Sequence, residues 1–340
     1  MLKSVLRKLQ VVGGSTLTVS LPKEWAKATA MKGGDYVAVI PQQDGSLVLA
    51  PRENIEIIPS SSEISIDTKL DPVEAGRELI AEYLSGYDTI TVKFAEGTSE
   101  HRALIKQFSR KKLIGAEIIN ETSEQLVVQC FVGPKELPIK KATRRMGAIT
   151  LSMVNDAIEA LKLDDKELAR NVVERDDEVD RFYLFGVRQL KMAVTNQAIL
   201  KDVGFLNVNE CLGYRIVMKS IERAADHAAR ISNVIESREK PLDDIADIEK
   251  MRKLAVKVFT EILDSLRKSD GRRANKALVG VDKTRIMYDK LSQKLLKLRR
   301  TNQEVWGLET VIESLKKIAD YGEDIAEVVI NSSSDESSGR

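Results

Sequence analysis

The chain has 340 residues, enough for about two or three domains with cores of their own. Its 53 Lys+Arg and 52 Asp+Glu nearly cancel, so bulk charge assigns no nucleic-acid partner and any such footprint must be local. Cys130 and Cys211 lack C-x-x-C spacing and there are two histidines, which argues against a disulfide framework, a thiolate zinc site and a histidine-built metal site. No long uncharged apolar run and no signal-peptide core are present, so the expected location is the cytoplasm, without membrane insertion.

Residues 1–53 read as β-rich. Leu17, Val19 and Leu21 alternate, as do Val37 and Val39, and Leu47 and Leu49 follow the turn Asp44-Gly45. Pro22 opens a short helix expected over Lys23–Met31, stopped by Gly33-Gly34. So short a segment buries too little surface to be stable alone, and pairing of two chains is expected. Residues 54–138 read as an α+β module: strands at Ser62–Thr68, Thr89–Phe94, Ile114–Ile119 and Gln125–Val132, helices at Pro72–Ser85 and Ser99–Lys111. His101, among polar residues at a helix start, is expected on the solvated surface.

From Lys140 to about Asn331 the pattern is almost continuously helical and matches itself. Met146 falls on Met251, Met153 on Val258, Asp165 on Asp270 and Ala169 on Ala274, all at one offset. A third helix repeats at a shorter offset, Asp226 on Asp320 and Ile231 on Ile325. Apolar residues recur at three and four, which predicts tandem three-helix bundles over 139–240 and 241–331. The serine-rich tail 332–340 is expected to be disordered.

The first repeat holds two acid pairs at helical spacing, Asp176/Asp180 and Glu222/Asp226, each expected to point toward the inside of the bundle. Four converging carboxylates repel one another and lose solvation, which a bound cation relieves. Oxygen donors suit a hard cation, or iron and manganese, better than structural zinc. Solvated helix faces remain the alternative, since Glu78/Glu82 and Glu323/Glu327 have the same spacing. In the second repeat the positions become Val281, Arg285, Lys316 and Asp320, where a cationic side chain can neutralise Asp320 without metal. His227, next to Asp226, points about 100° away on the helix. The basic run Lys140, Lys141, Arg144, Arg145 reads as a solvated helix start, with phosphate or nucleic-acid contact as a lesser alternative.

The segments MGAITLSMVNDAIEALKLDDKELARNVVERDDEVDRF and IERAADHAARISNVI resemble the PhoU family of phosphate-signalling regulators. The resemblance implies tandem three-helix bundles and a multinuclear metal cluster, with Asp176, Asp180, Glu222 and Asp226 as ligand candidates in the first repeat and no cluster assured in the second. LRKLQVVGGSTLTVSLPKEWAKATAMKGGDYVAVIPQQDGSLVLAP is similar to AbrB/SpoVT-type swapped-hairpin domains, which are intertwined dimers that bind DNA. Arg7 and Lys8 match that family's basic pair, whereas Ser15 stands where the family often has arginine. With Lys3, Lys23 and Lys27 they form the expected DNA contacts.

The fold class expected is thus α+β and multi-domain: a swapped-hairpin β domain, an α+β module, then all-α tandem bundles. The function expected is regulation of phosphate uptake and homeostasis by a homodimeric DNA-binding transcriptional regulator. Its first bundle would hold a metal cluster of iron or another hard divalent cation, and its partners would be DNA and a phosphate transporter or its signalling apparatus. One alternative is an adaptor that docks on the transporter without binding DNA. The other, a carboxylate-bridged metalloenzyme, lacks an E-x-x-H pair and any acid–base or nucleophile constellation, so the expectation is that the chain is not an enzyme.

Overall fold

The computed structural model describes residues 5–41, 45–51, 60–237, 245–297 and 301–338. Packing divides the chain into two units, Met1–Pro59 and Ser60–Arg340. The break expected at 53/54 lies in the stretch 52–59, outside the described residues.

In the first unit, β1 (Gln10–Val12) pairs antiparallel with β2 (Thr16–Thr18) across Gly13-Gly14. Both glycines have positive φ, +61° and +88°, a conformation that costs other residues a Cβ clash. Helix α1 (Lys23–Ala28) follows Pro22 and ends three residues earlier than expected. There Thr29 Oγ1 turns back to donate to Trp25 O, and Ala30 adopts a left-handed φ of 55°. Strands β3 (Val37–Pro41) and β4 (Leu47–Pro51) form a second antiparallel hairpin, with Val39 opposite Leu49. None of the described residues of this unit is buried, and Val11, Leu17, Val39 and Leu47 lie exposed. Among the described residues of this unit, these apolar side chains have no covering partner within the unit itself.

The second unit opens with β5 (Ser61–Ile66), α2 (Pro72–Ser85), β6 (Thr89–Phe94), α3 (Ser99–Lys112), β7 (Ala116–Glu121) and β8 (Gln125–Cys130). The sheet order is β5-β6-β8-β7; β5 and β6 run parallel, joined over α2, and the other pairs are antiparallel. Asp71 caps α2 by accepting from the Val73 and Glu74 amides, and Gly86 ends it at φ 96°. Alternate strand residues Ile90, Val92, Leu126 and Val128 pack against Leu79, Tyr83 and Ile105 of the two helices.

The helical region comprises α4 (Ile139–Leu163), α5 (Lys166–Thr195), a short α6 (Gln197–Asp202) and α7 (Asn209–Ser237). Then come α8 (Ala246–Lys268), α9 (Gly271–Leu296) and α10 (Asn302–Ser338). The repeat extends to the helix ends. Asp164 and Ser269 both close a helix in the left-handed region, at φ 57° and 50°. The residues that follow them, Asp165 and Asp270, cap α5 and α9 through their side chains. Equivalent residues Met146 and Met251, Ala169 and Ala274, and Ile231 and Ile325 are all fully buried. One apolar core runs through both bundles. α7 and α10 approach closely at Gly213, where an added Cβ would lie 2.8 Å from Val328 Cγ1.

The tail does not follow the expectation of disorder: α10 continues through Ser338. Extending a helix already formed needs no new nucleus, and Ser333 Oγ donates to Ile330 O. Residues 339–340 lie outside the described residues.

Candidate metal centre

Asp176 and Asp180 project from α5, and Glu222 and Asp226 from α7, at the seam where these helices pack. One carboxylate oxygen from each of Asp180, Glu222 and Asp226 lies within 4.8 Å of the others. Asp176, one turn before Asp180 on α5, is not among these three; its carboxyl feels Asp226, Asp180 and Glu222 electrostatically.

The acids sit at different depths, from the buried Glu222 to the edge of the bundle at Asp226, which corrects in part the expectation that both pairs point inward. Glu222 is buried, Asp176 and Asp180 are half-buried and Asp226 is exposed. The buried stripes run through Val172 and Val179 on α5 and Met218, Ile221 and Ala225 on α7. Asp180, Glu222 and Asp226 each follow a stripe residue directly and so sit about 100° round the helix from it.

Charge is poorly compensated here. Burial first, then the neighbouring acids, pushes the Asp176 carboxyl up to about 7; at Asp226, exposed as a residue but with its carboxyl partly enclosed by the seam, the same causes give about 6. Asp180 is raised by burial and by Glu222. The cation paired with the group is Lys219, whose Nζ donates to Glu222 Oε1 and lies 5.0 Å above the Tyr183 ring. Asp176 Oδ1 and Glu222 Oε2 are buried without a hydrogen-bond partner. Unpartnered carboxylate oxygens beside other carboxylates are the donor set a hard cation takes, so the residues present fit a metal. Glu178 is engaged elsewhere, by Arg145 at 3.0 Å, and Asp177 is exposed. His227 faces α10: its Nδ1 lies 3.2 Å from Ser314 Oγ, its ring is 5.7 Å from Tyr321, and burial lowers its pKa to about 4.

The second bundle shows what a cationic side chain does at the same place. Val281 is buried; Arg285 Nε donates to Asp320 Oδ1 at 2.8 Å, its Nη2 donates to Glu323, and Lys316 Nζ lies 3.7 Å from Asp320 Oδ2. These hydrogen bonds hold the Arg285 pKa above its ordinary value. Glu323, read from the sequence as half of a solvated pair with Glu327, instead joins Asp320 on Arg285, as its spacing of three from Asp320 on one helix face allows.

Two further residues differ from expectation. His101 is buried, with Nε2 2.7 Å from Leu70 O, because the first turn of α3 tucks against the loop after β5. Arg188 of α5, unmarked by any spacing, is buried and donates to the carbonyls of Tyr83 and Tyr87 at 2.6 and 2.9 Å. With the neighbouring Phe185 it joins the α+β module to the first bundle.

Of the expected DNA contacts, Arg7 and Lys8 lie exposed in the extended segment before β1, and Lys23 and Lys27 are exposed on one face of α1. Lys3 lies outside the described residues.

Residues 143–235 and 248–329, just over half the chain, match the model of the PhoU domain. Residues 10–57 match the model for antidote-toxin recognition MazE, a bacterial antitoxin, in the segment that resembles AbrB/SpoVT-type domains. A phosphate-specific transport system accessory protein PhoU homolog of Borreliella burgdorferi is 23% identical over 181 residues, 51% of this chain and 72% of that protein. One from Caulobacter vibrioides is 26% identical over 192 residues, 54% and 82% of the two chains. The phosphate transport system regulatory protein PhoU from Streptococcus pneumoniae superposes with a TM-score of 0.51 at 18% identity, over 56% of this chain and 91% of that one. PhoU from Pseudomonas aeruginosa gives 0.50 at 21% identity, over 56% and 93%. At these identities the superpositions establish the fold.

Proposed function

The chain belongs to the PhoU family, and from that premise we propose that it regulates phosphate transport, with a metal cluster in its first bundle and a DNA-binding N-terminal domain. The observation that supports the metal assignment is the difference between the repeats: among the described residues the three clustered acids of the first have Lys219, on Glu222, as their ion-pair partner, whereas the second is an arginine-neutralised set. Asp176, Asp180, Glu222 and Asp226 would hold iron or another hard divalent cation. The metal supplies positive charge that relieves the repulsion between α5 and α7, so its role is structural or sensory and the chain is not an enzyme.

The N-terminal domain joins two chains through the apolar faces it leaves uncovered, and its basic residues Lys3, Arg7, Lys8, Lys23 and Lys27 face the phosphate backbone of DNA. Pairing doubles this modest positive patch. The helical unit docks on a phosphate transporter or its signalling apparatus, and the protein acts in the cytoplasm.

A second reading, an adaptor that docks without binding DNA, is favoured by one feature. Leu206, just before α7, and Leu212 and Ile216 in its first turns are exposed, 81%, 66% and 48% open to solvent. Chromatin pull-down with sequencing, in high and low phosphate, separates the two. Phosphate-dependent enrichment at promoters, lost with Arg7→Ala plus Lys8→Ala, is expected. The absence of enrichment in both conditions would leave the adaptor reading.

A further inference from the structure

Where the first bundle meets the second, α4 and α8 enclose a cleft of about 400 Å³ separate from the acid seam. Leu151, Leu263 and Leu266 give it an apolar lining with Tyr214 of α7. Gly147 lets Leu263 of α8 pack against α4 at the floor of the cleft, where a Cβ would lie 2.8 Å from Leu263 Cδ1. Its charged wall comes from both repeats, Lys140 and Arg144 from the start of α4 and Arg267 from the end of α8.

The single acid in the lining, Asp264, is already bound by Arg273 at 3.2 Å and Arg267 at 3.5 Å. Lys140 and Arg144 form no ion pair with a carboxylate among the described residues; Arg144 Nε donates to Lys140 O at 3.3 Å, and Lys140 Nζ lies 5.5 Å over the Phe205 ring. The cleft therefore carries a surplus of two positive charges. A phosphomonoester brings about −1.5 to −2 at neutral pH, and arginine binds such a group through paired hydrogen bonds. The volume lies within the roughly 300–1,000 Å³ of small-molecule sites, far more than a bare anion fills. An apolar lining beside the hydroxyls of Thr260 and Ser269 suits a body with a sugar and an aromatic ring.

The basic run at 140–145 is split by this geometry. Lys140 and Arg144 line the cleft, whereas Arg145 turns to Glu178. A flat strip for a nucleic-acid backbone would keep them together.

We propose that the cleft binds a mononucleotide, its phosphate held by Lys140, Arg144 and Arg267 and its base and sugar by the apolar and hydroxyl lining. Because both repeats contribute, occupancy bears directly on how α4 packs against α8, which makes the nucleotide an effector of bundle geometry. This inference is independent of the metal assignment.

The test is calorimetric titration of the full chain, at physiological salt, with adenosine and guanosine mono-, di- and triphosphates, inorganic phosphate and a random DNA duplex. Saturable binding of a nucleotide is expected. Arg144→Gln plus Arg267→Gln should weaken it at least tenfold. Ala148→Trp, which fills the cleft from an exposed position on α4 without touching its charge, should abolish it. Asp176→Asn should leave it unchanged. Circular dichroism of each variant monitors folding, and the surface arginine pair keeps the test open should the tryptophan variant fail to fold. No nucleotide binding at millimolar concentration overturns the proposal, as does binding that the arginine variant leaves intact. Inorganic phosphate binding as tightly as any nucleotide overturns the organic part of the ligand. Duplex binding that the arginine variant weakens, without nucleotide binding, assigns the cations to a nucleic-acid backbone instead.

Discussion

Replacing Arg285 by methionine keeps most of the aliphatic stem and removes the charge that lies among Asp320, Glu323 and Asp282. The three pairs differ in value. Asp282 is 71% exposed, so its pair at 3.6 Å contributes little. Asp320 and Glu323 are 18% and 31% exposed and accept charge-assisted hydrogen bonds from a guanidinium that is itself 37% exposed. Each is therefore intermediate between a surface pair and a buried one, at about 1–2 kcal/mol. Lys316, 3.7 Å from Asp320, retains part of that share, which leaves a loss of about 2–3 kcal/mol. In a unit of this size that lowers the thermal midpoint by about 4–8 °C. Thermal unfolding followed by circular dichroism in a chelator reads the shift directly. At about 1 M salt the difference between the two proteins should shrink, because the freed acids repel less through a Debye length of about 3 Å. A shift below about 1 °C would refute the idea that the guanidinium stands in for a cation in the second bundle.

The acid seam of the first bundle gives a pH signature. Asp176 and Asp226 have folded values of about 7 and about 6, against 3.8 for the free side chain. A carboxyl raised by folding costs stability once it ionises. The metal-free protein should therefore lose stability relative to Asp176→Asn plus Asp226→Asn as pH rises from about 4 to about 7, with a constant gap above. Solvent at the half-open seam reduces the full shift to about 1–2 kcal/mol, and His227, lowered to about 4, titrates in both proteins and cancels. A gap that does not change over this window contradicts the repulsion. Arg188→Met should cost about 3–5 kcal/mol, since it strands the buried Tyr83 carbonyl, the half-buried Tyr87 carbonyl and the Asp88 carboxylate, and should speed hydrogen exchange in α2, β5 and β6; unchanged exchange there contradicts its role as the joint. Leu17→Asp plus Leu47→Asp should lower the solution mass measured by light scattering toward that of one chain, and an unchanged mass would place chain pairing elsewhere.

The elements most legible in the sequence were those with strong periodicity and explicit ends. Pro72–Ser85 is bounded by Asp71-Pro72 and Gly86, and its bounds are those expected. The repeat was legible because burial constrains equivalent positions alike, as Met146 and Met251 show. The acid pairs were legible from spacing, but their depth was not. A residue next to the apolar stripe can face the core or its edge, and the rotation of α5 against α7 decides which. Arg188 and His101 were not readable for a related reason. His101 meets a backbone carbonyl of a distant segment, and Arg188 meets two such carbonyls and Asp88, about 100 residues away, so no local spacing marks either contact. The cleft between α4 and α8 arises from the packing of one repeat on the other, which neither repeat's own periodicity specifies.

Metal content tests the central claim most directly. The full chain, loaded anaerobically with ferrous iron or with manganese and then dialysed, is assayed by mass spectrometry of the element beside Glu222→Gln plus Asp226→Asn and Arg285→Met. The account predicts tightly held metal in the unaltered protein and in Arg285→Met, and loss of nearly all of it when the two α7 acids are neutralised. Equal metal in all three, or none in the unaltered protein, would contradict a metal centre at the α5–α7 seam.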